Sequence, residues 1–340
     1  MRDRHGRRNF LRILDNMPGR RDAGRIWQKC LDEFLRTYGL RQLISDRRVW
    51  VYVSSLGTLI YYDHVGESRL TLTAPGVRLH FCRAWALQFD ESLAEMAITE
   101  DFTGLRHRPT PDGLIAVSCE GVIRRLGDMI APWPLTRTQT CDSPMAETAL
   151  RALRDSPPEA DPIDITLLVP ARKIVGCCGF ITTAVRCDGY FPYAVLSRYV
   201  NPKRMTALVW RLILRLAHYL ATNVGLHLHL APPERVRSPD GSFGLDLFEC
   251  FVDSSHANAE SGLGYAGYIL MSRNRRGGAL GWRVVLPPMG FDSTAAAELH
   301  ATTMAFKHTV AIRTLQSELE LGVGPTVPAV LLTDAQCICS

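Results

Sequence analysis

Three carboxylates are the residues best placed to do chemistry. Asp253 ends an apolar run from Leu245 to Val252, Glu298 stands in the first turns of a helical pattern from Thr294 to about Leu319, and Asp334 ends a second apolar run from Ala329 to Thr333. Side chains at neighbouring strand ends and on a facing helix can converge on one point, and clustered carboxylates repel unless cations neutralise them. Two Mg2+ or Mn2+ ions in such a cage would activate water and stabilise the leaving oxygen in phosphodiester hydrolysis. Acidic residues at strand ends and helix starts also act simply as caps, and that reading carries similar weight.

Other motifs are weaker. His227 and His229 would share one strand face, without a third ligand nearby, which favours a structural role. The ten cysteines form no C-x-x-C pair, so zinc and thioredoxin-like readings fail and reduced, mostly buried thiols are expected. Gly262-Leu-Gly-Tyr-Ala-Gly267 matches G-x-G-x-x-G, but the apolar run Tyr268 to Met271 that follows is a strand, where a dinucleotide site needs a helix. Walker A, H-E-x-x-H and nucleophile-elbow motifs are absent from the sequence.

The elements that must position these residues follow from periodicity. Ile26 to Gly39 is an amphipathic helix, and Val49 to Val53 with Leu56 to Tyr62 is a hairpin turning at Ser54-Ser55. Glu91 to Met96 is weakly helical, Phe102 to His107 and Leu114 to Ser118 flank a Pro-Asp-Gly turn, and Gly121 to Ile130 is helical. The stretch 132–162, rich in Pro, Thr, Ser and Asp, reads as a link. Helices follow at Ile174 to Thr183, Ala194 to Tyr199 and Thr206 to Leu220, then strands at Leu245 to Val252, Tyr265 to Ser272 and Ala279 to Leu286, the long helix, and the strand 329–333. The class is α+β with an α/β end.

Composition sets the frame. With 340 residues, 46% of them hydrophobic and 21% charged, the chain can bury cores, which excludes a largely disordered protein. Its most apolar stretch, Ala207 to Ala221, is broken by Arg211, Arg215 and His218, so no membrane partner is expected. The first residues lack the apolar core of a secretory signal, which suggests a cytoplasmic or nuclear protein. The net charge of +5 equals the excess of Arg over Asp in residues 1–25, where Arg20, Arg21 and Arg25 lead into the first helix. Such an arm can contact phosphates; it reads equally as a solvated tail or a mitochondrial targeting segment diluted by its acids.

Gly19, Ala23, Arg25 and Trp27, then Tyr52-Val-Ser-Ser-Leu56, Phe102-Thr-Gly104, Phe251-Val-Asp253 and Thr333-Asp334 follow one another in an order that resembles the copia-type LTR-retrotransposon Pol polyprotein. Met17 to Trp27 is similar to the family's LYGLKQAPRAW segment through Gly19, Ala23, Arg25 and Trp27, and Tyr52-Val-Ser-Ser-Leu56 sits where the family has YVDDL. Phe102-Thr-Gly104, Asp112-Gly113 and Ser143-Pro-Met145 resemble FLG, DG and STPM. Lys173-Ile-Val-Gly176, Arg186-Cys-Asp188, Tyr193 to Arg198 and Tyr219-Leu220 follow the connection segment. Phe251-Val-Asp253, Gly267-Tyr268, Trp282, Ser293 to Leu299 and Thr333-Asp334 fall where ribonuclease H places its first three strands, helix and fourth strand.

The resemblance implies a basic arm (1–25), a reverse-transcriptase palm remnant (26–131), a linker (132–162), a small helical connection (163–235) and an incomplete ribonuclease-H-like mixed sheet with helix (244–340). It implies Asp253, Glu298 and Asp334 as catalytic ligands of Mg2+ or Mn2+, and an RNA–DNA hybrid or another Pol-derived chain as partner. The polymerase site is degenerate: Ser54 and Ser55 replace its carboxylate pair, and the family's earlier Asp would precede Met1, as its last ribonuclease H elements would follow Ser340. Neutral hydroxyls do not replace anionic ligands on hard cations. Polymerisation is therefore not expected, and hybrid cleavage would be residual; the alternative is a non-catalytic nucleic-acid-binding or scaffold remnant.

Overall fold

The computed structural model describes residues 23–64, 67–72, 74–89, 101–134, 143–155, 165–231, 235–237, 243–245, 249–255, 263–272, 276–288, 290–319 and 330–333. The chain forms two compact units, Met1–Glu95 and Met96–Ser340. Its class is mixed α+β. Among the described residues, no helix is long and apolar enough to cross a membrane.

The first unit is a four-stranded antiparallel sheet between two helices in sequence. Helix α1 (Ala23–Tyr38) leads into β1 (Arg41–Gln42), β2 (Val49–Ser54), β3 (Gly57–His64), β4 (Glu67–Leu72) and α2 (Pro75–Phe89), the strands lying in order β1-β2-β3-β4. Gly39 stops α1 because it adopts φ +103°. The Leu40 N–H then reaches the Leu35 carbonyl at 2.9 Å and the Gly39 N–H the Arg36 carbonyl at 3.0 Å, the paired bonds of a Schellman end. Leu31, Phe34, Leu35, Trp50, Tyr61, Phe81 and Trp85 make the core, with Phe34 and Trp85 edge to face at 5.6 Å. The expected hairpin is present, Val49 facing Tyr62 and Ser54 facing Gly57. Strand β4 and helix α2 were not anticipated, and the weak helix expected at Glu91 to Met96 lies outside the described residues.

The second unit begins with β5 (Asp101–Phe102), β6 (Leu105–Pro109) and β7 (Ile115–Ser118). Thr103 and Gly104, at φ 52° and 80°, form the tight turn between β5 and β6. Helices α3 (Glu120–Ile130), α4 (Glu147–Asp155), α5 (Leu168–Ala184), α6 (Tyr190–Leu196) and α7 (Ala207–Thr222) follow, then β8 (Leu228–Leu230), which pairs antiparallel with β7, Ile115 facing Leu230. Leu126, Ile174, Cys178, Ile181, Ile213, Leu216 and Leu220 fill one core between α3, α5 and α7. Strand β7 and helix α3, which fall in the expected segment 26–131, are thus hydrogen-bonded and packed within the second unit.

The stretch expected to be a link is partly built into this core. Leu153 of α4 is buried there, Trp133 stands edge to face on Trp210 at 5.1 Å, and His218 Nε2 donates to the Trp133 carbonyl at 2.9 Å. Arg215 Nη2 donates to the Ser143 carbonyl. Its Pro-rich flanks break the periodicity that would reveal so short a helix.

After a small hairpin, β9 (Arg235–Arg237) with β10 (Phe243–Leu245), the chain makes β11 (Glu249–Ser254), β12 (Ala266–Met271), β13 (Ala279–Val285), α8 (Thr294–Glu318) and β14 (Val330–Leu332). The sheet order is β13-β12-β11-β14: the first three strands are antiparallel neighbours, and β14 lies parallel to β11. Ser293 caps α8, its Oγ accepting from the Ala296 N–H at 3.2 Å. Ala297, Ala301, Ala305 and Thr309 recur at four-residue spacing on the buried side of α8, and these small side chains let the helix lie close on Cys250, Val252, Ala266 and Leu270.

Candidate functional site

The carboxylates are best located from strand alternation. In β11 the side chains of Cys250 and Val252 belong to the core under α8, so Ser254 shares that face while Phe251 and Asp253 take the other. Glu298, one turn into α8 and only 4% exposed, reaches across to the end of β11. Its Oε1 accepts from the Ser254 hydroxyl at 2.6 Å and from the Ser254 backbone N–H at 3.1 Å. Its Oε2 is buried without a hydrogen-bond partner. An orphaned carboxylate oxygen in the interior is costly and is satisfied by a proton or by a cation.

Asp253 is exposed and lines a cavity of about 800 Å³ on the opposite face of the sheet, walled by Phe251, Tyr190, Tyr265, Ile269 and Trp282. The structure therefore joins Asp253 and Glu298 through the Asp253–Ser254 peptide. Asp334 lies outside the described residues; β14 runs parallel to β11 with Leu332 facing Phe251, and Asp334 and Asp253 each follow two positions later in sequence. Among the described residues no group of three His, Cys, Asp or Glu side chains is placed to hold a metal ion. The donor chemistry of Glu298 nonetheless suits a hard cation, because carboxylate oxygen is its preferred ligand.

Ser254 was not singled out by sequence, since a hydroxyl at a strand end has no distinguishing spacing. The only signal is its place next to Asp253.

Ser54 and Ser55 lie at the tight turn between β2 and β3. Ser54 Oγ donates to the Gly57 carbonyl and accepts from the Leu56 N–H, each at 3.2 Å, so its lone pairs and proton serve the turn. Arg25 is exposed on the first turn of α1, whereas Arg20 and Arg21 lie outside the described residues.

Three of the residues that carried the resemblance, Arg186, Asp188 and Tyr219, meet. Arg186, 2% exposed, grips Asp188 with Nε at 2.9 Å and Nη2 at 2.7 Å, and its Nη1 donates to the Asn223 carbonyl at 2.9 Å. Its guanidinium also lies over the Tyr219 ring, 5.2 Å from the centroid. The cluster ties the turn between α5 and α6 to the end of α7.

The seven described cysteines carry free thiols. Burial pushes Cys119 up to about 12 and Cys250 up to about 11, which makes both unreactive. His227 and His229 flank Leu228 of β8, and among the described residues neither belongs to a group of three His, Cys, Asp or Glu side chains that could hold a metal ion. Compared with protein-family models, with curated proteins and with solved structures, the chain matches none.

Proposed function

We propose that this chain is a retrotransposon-derived reverse transcriptase and ribonuclease H fragment, inactive as a polymerase and retaining at most residual metal-dependent cleavage of RNA–DNA hybrids. One observation carries the reading: three antiparallel strands, a helix and a fourth strand parallel to the first, in the order β13-β12-β11-β14, with α8 holding Glu298 against the end of β11 beside Asp253. This is the order expected of a ribonuclease-H-like sheet. Asp253, Glu298 and Asp334 would hold Mg2+ or Mn2+, which when bound supplies an activated water and charge neutralisation at the scissile phosphate. The hairpin 49–64 would be the palm remnant, and its seryl turn supports the loss of polymerisation. The test is manganese-dependent cleavage of a labelled RNA–DNA hybrid by the purified chain, lost in Asp253→Asn and in Glu298→Gln; cleavage that survives both substitutions would overturn it.

A second reading, a non-catalytic nucleic-acid-binding or scaffold remnant, is favoured by the way Ser254 occupies one oxygen of Glu298 while Asp253 leaves from the other face. Hybrid binding without cleavage in manganese would select it.

A further inference from the structure

A second cavity lies between α8 and the β12–β13 pair, with a volume of about 590 Å³. Arg283 of β13 and His300, Lys307 and His308 of α8 line it together with Tyr268, and among the described residues no acidic side chain does. Among the described residues neither Arg283 nor Lys307 has a carboxylate partner. Two fixed cations and two imidazoles that share one concavity, uncompensated, form a strong local positive potential.

The cavity is also shaped. The Tyr268 hydroxyl sits 2.6 Å from His308 Nδ1, and a Cβ at Gly281 would meet His308 Cε1 at 2.8 Å, so the imidazole is seated over a strand position kept open by glycine. Burial raises Tyr268 to about 12. Burial, and then the Arg283 charge, lower His308. The Tyr268 hydroxyl and His308 Nδ1 share one hydrogen bond, which fixes the ring and leaves Nε2 as its second polar atom.

We infer that this cavity binds a phosphate group, held by Arg283 and Lys307. A planar guanidinium and an ammonium are donors that recognise phosphate oxygens. The site is separate from the carboxylates: it requires no metal and is independent of whether Asp253 and Glu298 cleave anything.

The experiment uses the full 340-residue chain in EDTA, which silences metal-dependent chemistry. Fluorescence anisotropy of a labelled twelve-nucleotide oligothymidylate is measured for the wild type and for the double variant Arg283→Gln, Lys307→Gln. Both positions are exposed, so the fold should survive. In parallel the Tm of each protein is followed with added inorganic phosphate. Weakening of oligonucleotide binding by about tenfold or more, the loss of one or two charge-assisted hydrogen bonds, assigns the site to a strand's phosphodiester. A phosphate-induced rise in Tm that the double variant loses assigns it to free phosphate. Unchanged affinity together with an unchanged phosphate response in the double variant overturns the site.

Discussion

The Tyr219 hydroxyl donates a 2.7 Å hydrogen bond to Asp188 Oδ2, the same oxygen that Arg186 Nη2 holds at 2.7 Å. One carboxylate thus serves a buried guanidinium and a phenol from different helical segments, and removing it strands both. Asp188→Ala should destabilise the second unit by about 2 to 4 kcal/mol, because the uncompensated charge on Arg186 dominates the cost. Tyr219→Phe, which leaves the ion pair intact, should cost about 1 kcal/mol. Urea unfolding of the two variants checks the order; equal costs would show that the ion pair contributes little.

The same cluster sets an acid limit. Burial alone would raise Asp188, but hydrogen bonds from Arg186 and Tyr219 and the Arg186 charge outweigh it, and the carboxyl titrates below its ordinary value of 3.8. A depressed folded pKa means that the stabilisation is complete above the unfolded value and fades as pH falls through the folded one. Stability measured from pH 6 downward should therefore fall below about pH 4, and Asp188→Asn should flatten this decline.

At the end of β11 the two oxygens of Glu298 predict opposite responses. Glu298→Gln keeps an acceptor for Ser254 and removes a buried charge, so it should cost less than about 1 kcal/mol or stabilise. Glu298→Ala leaves the Ser254 hydroxyl and N–H without their acceptor and should cost about 1 to 3 kcal/mol. Thermal or urea unfolding separates them, and added manganese should raise the Tm of the wild type but not of Glu298→Gln.

Because Ser54 spends its hydroxyl on the turn, the purified chain should not extend a primer on RNA or DNA templates with magnesium or manganese. Template-dependent incorporation abolished by Tyr52 or Ser54 substitution would refute this.

The Arg-rich residues 1–25 should make nucleic-acid affinity fall with salt, at a log–log slope of about −0.9 per phosphate neutralised on duplex DNA. Removing residues 1–22, with Arg20 and Arg21, should flatten the slope by about 0.9 for every phosphate the arm neutralises. An unchanged slope would identify the arm as a bystander.

Much of the last hundred residues was legible in the sequence. The strands 249–254, 266–271 and 279–285 carry plain apolar runs between turn residues, and α8 starts at a seryl cap; their bounds in the structure differ from the sequence expectation by a few residues. Helix α2 was not legible, because Val77, Phe81 and Trp85 are buried while Leu79 and Leu87 are exposed, so its apolar groups form no single stripe. The pairing of β7 with β8 could not be read either, since a three-residue strand carries almost no pattern and its partner lies beyond five helices. Asp253 and Glu298 were visible as acidic residues at element ends. Their different faces were not, because the Ser254 bridge depends on the close seat that the alanines give α8.

Strand β8 touches two sheets at once. It pairs with β7, and its His229 carbonyl accepts from the Gly278 N–H at 2.5 Å, where a Cβ at Gly277 would meet the Ala231 backbone nitrogen at 2.8 Å. This close approach gives the second unit a late-folding seam: β7 must wait for the helices to be synthesised and packed before its partner arrives, and the loop-closure entropy of that wait slows the step. Strain at the seam, as in Gly277→Val, should therefore speed unfolding far more than it slows folding.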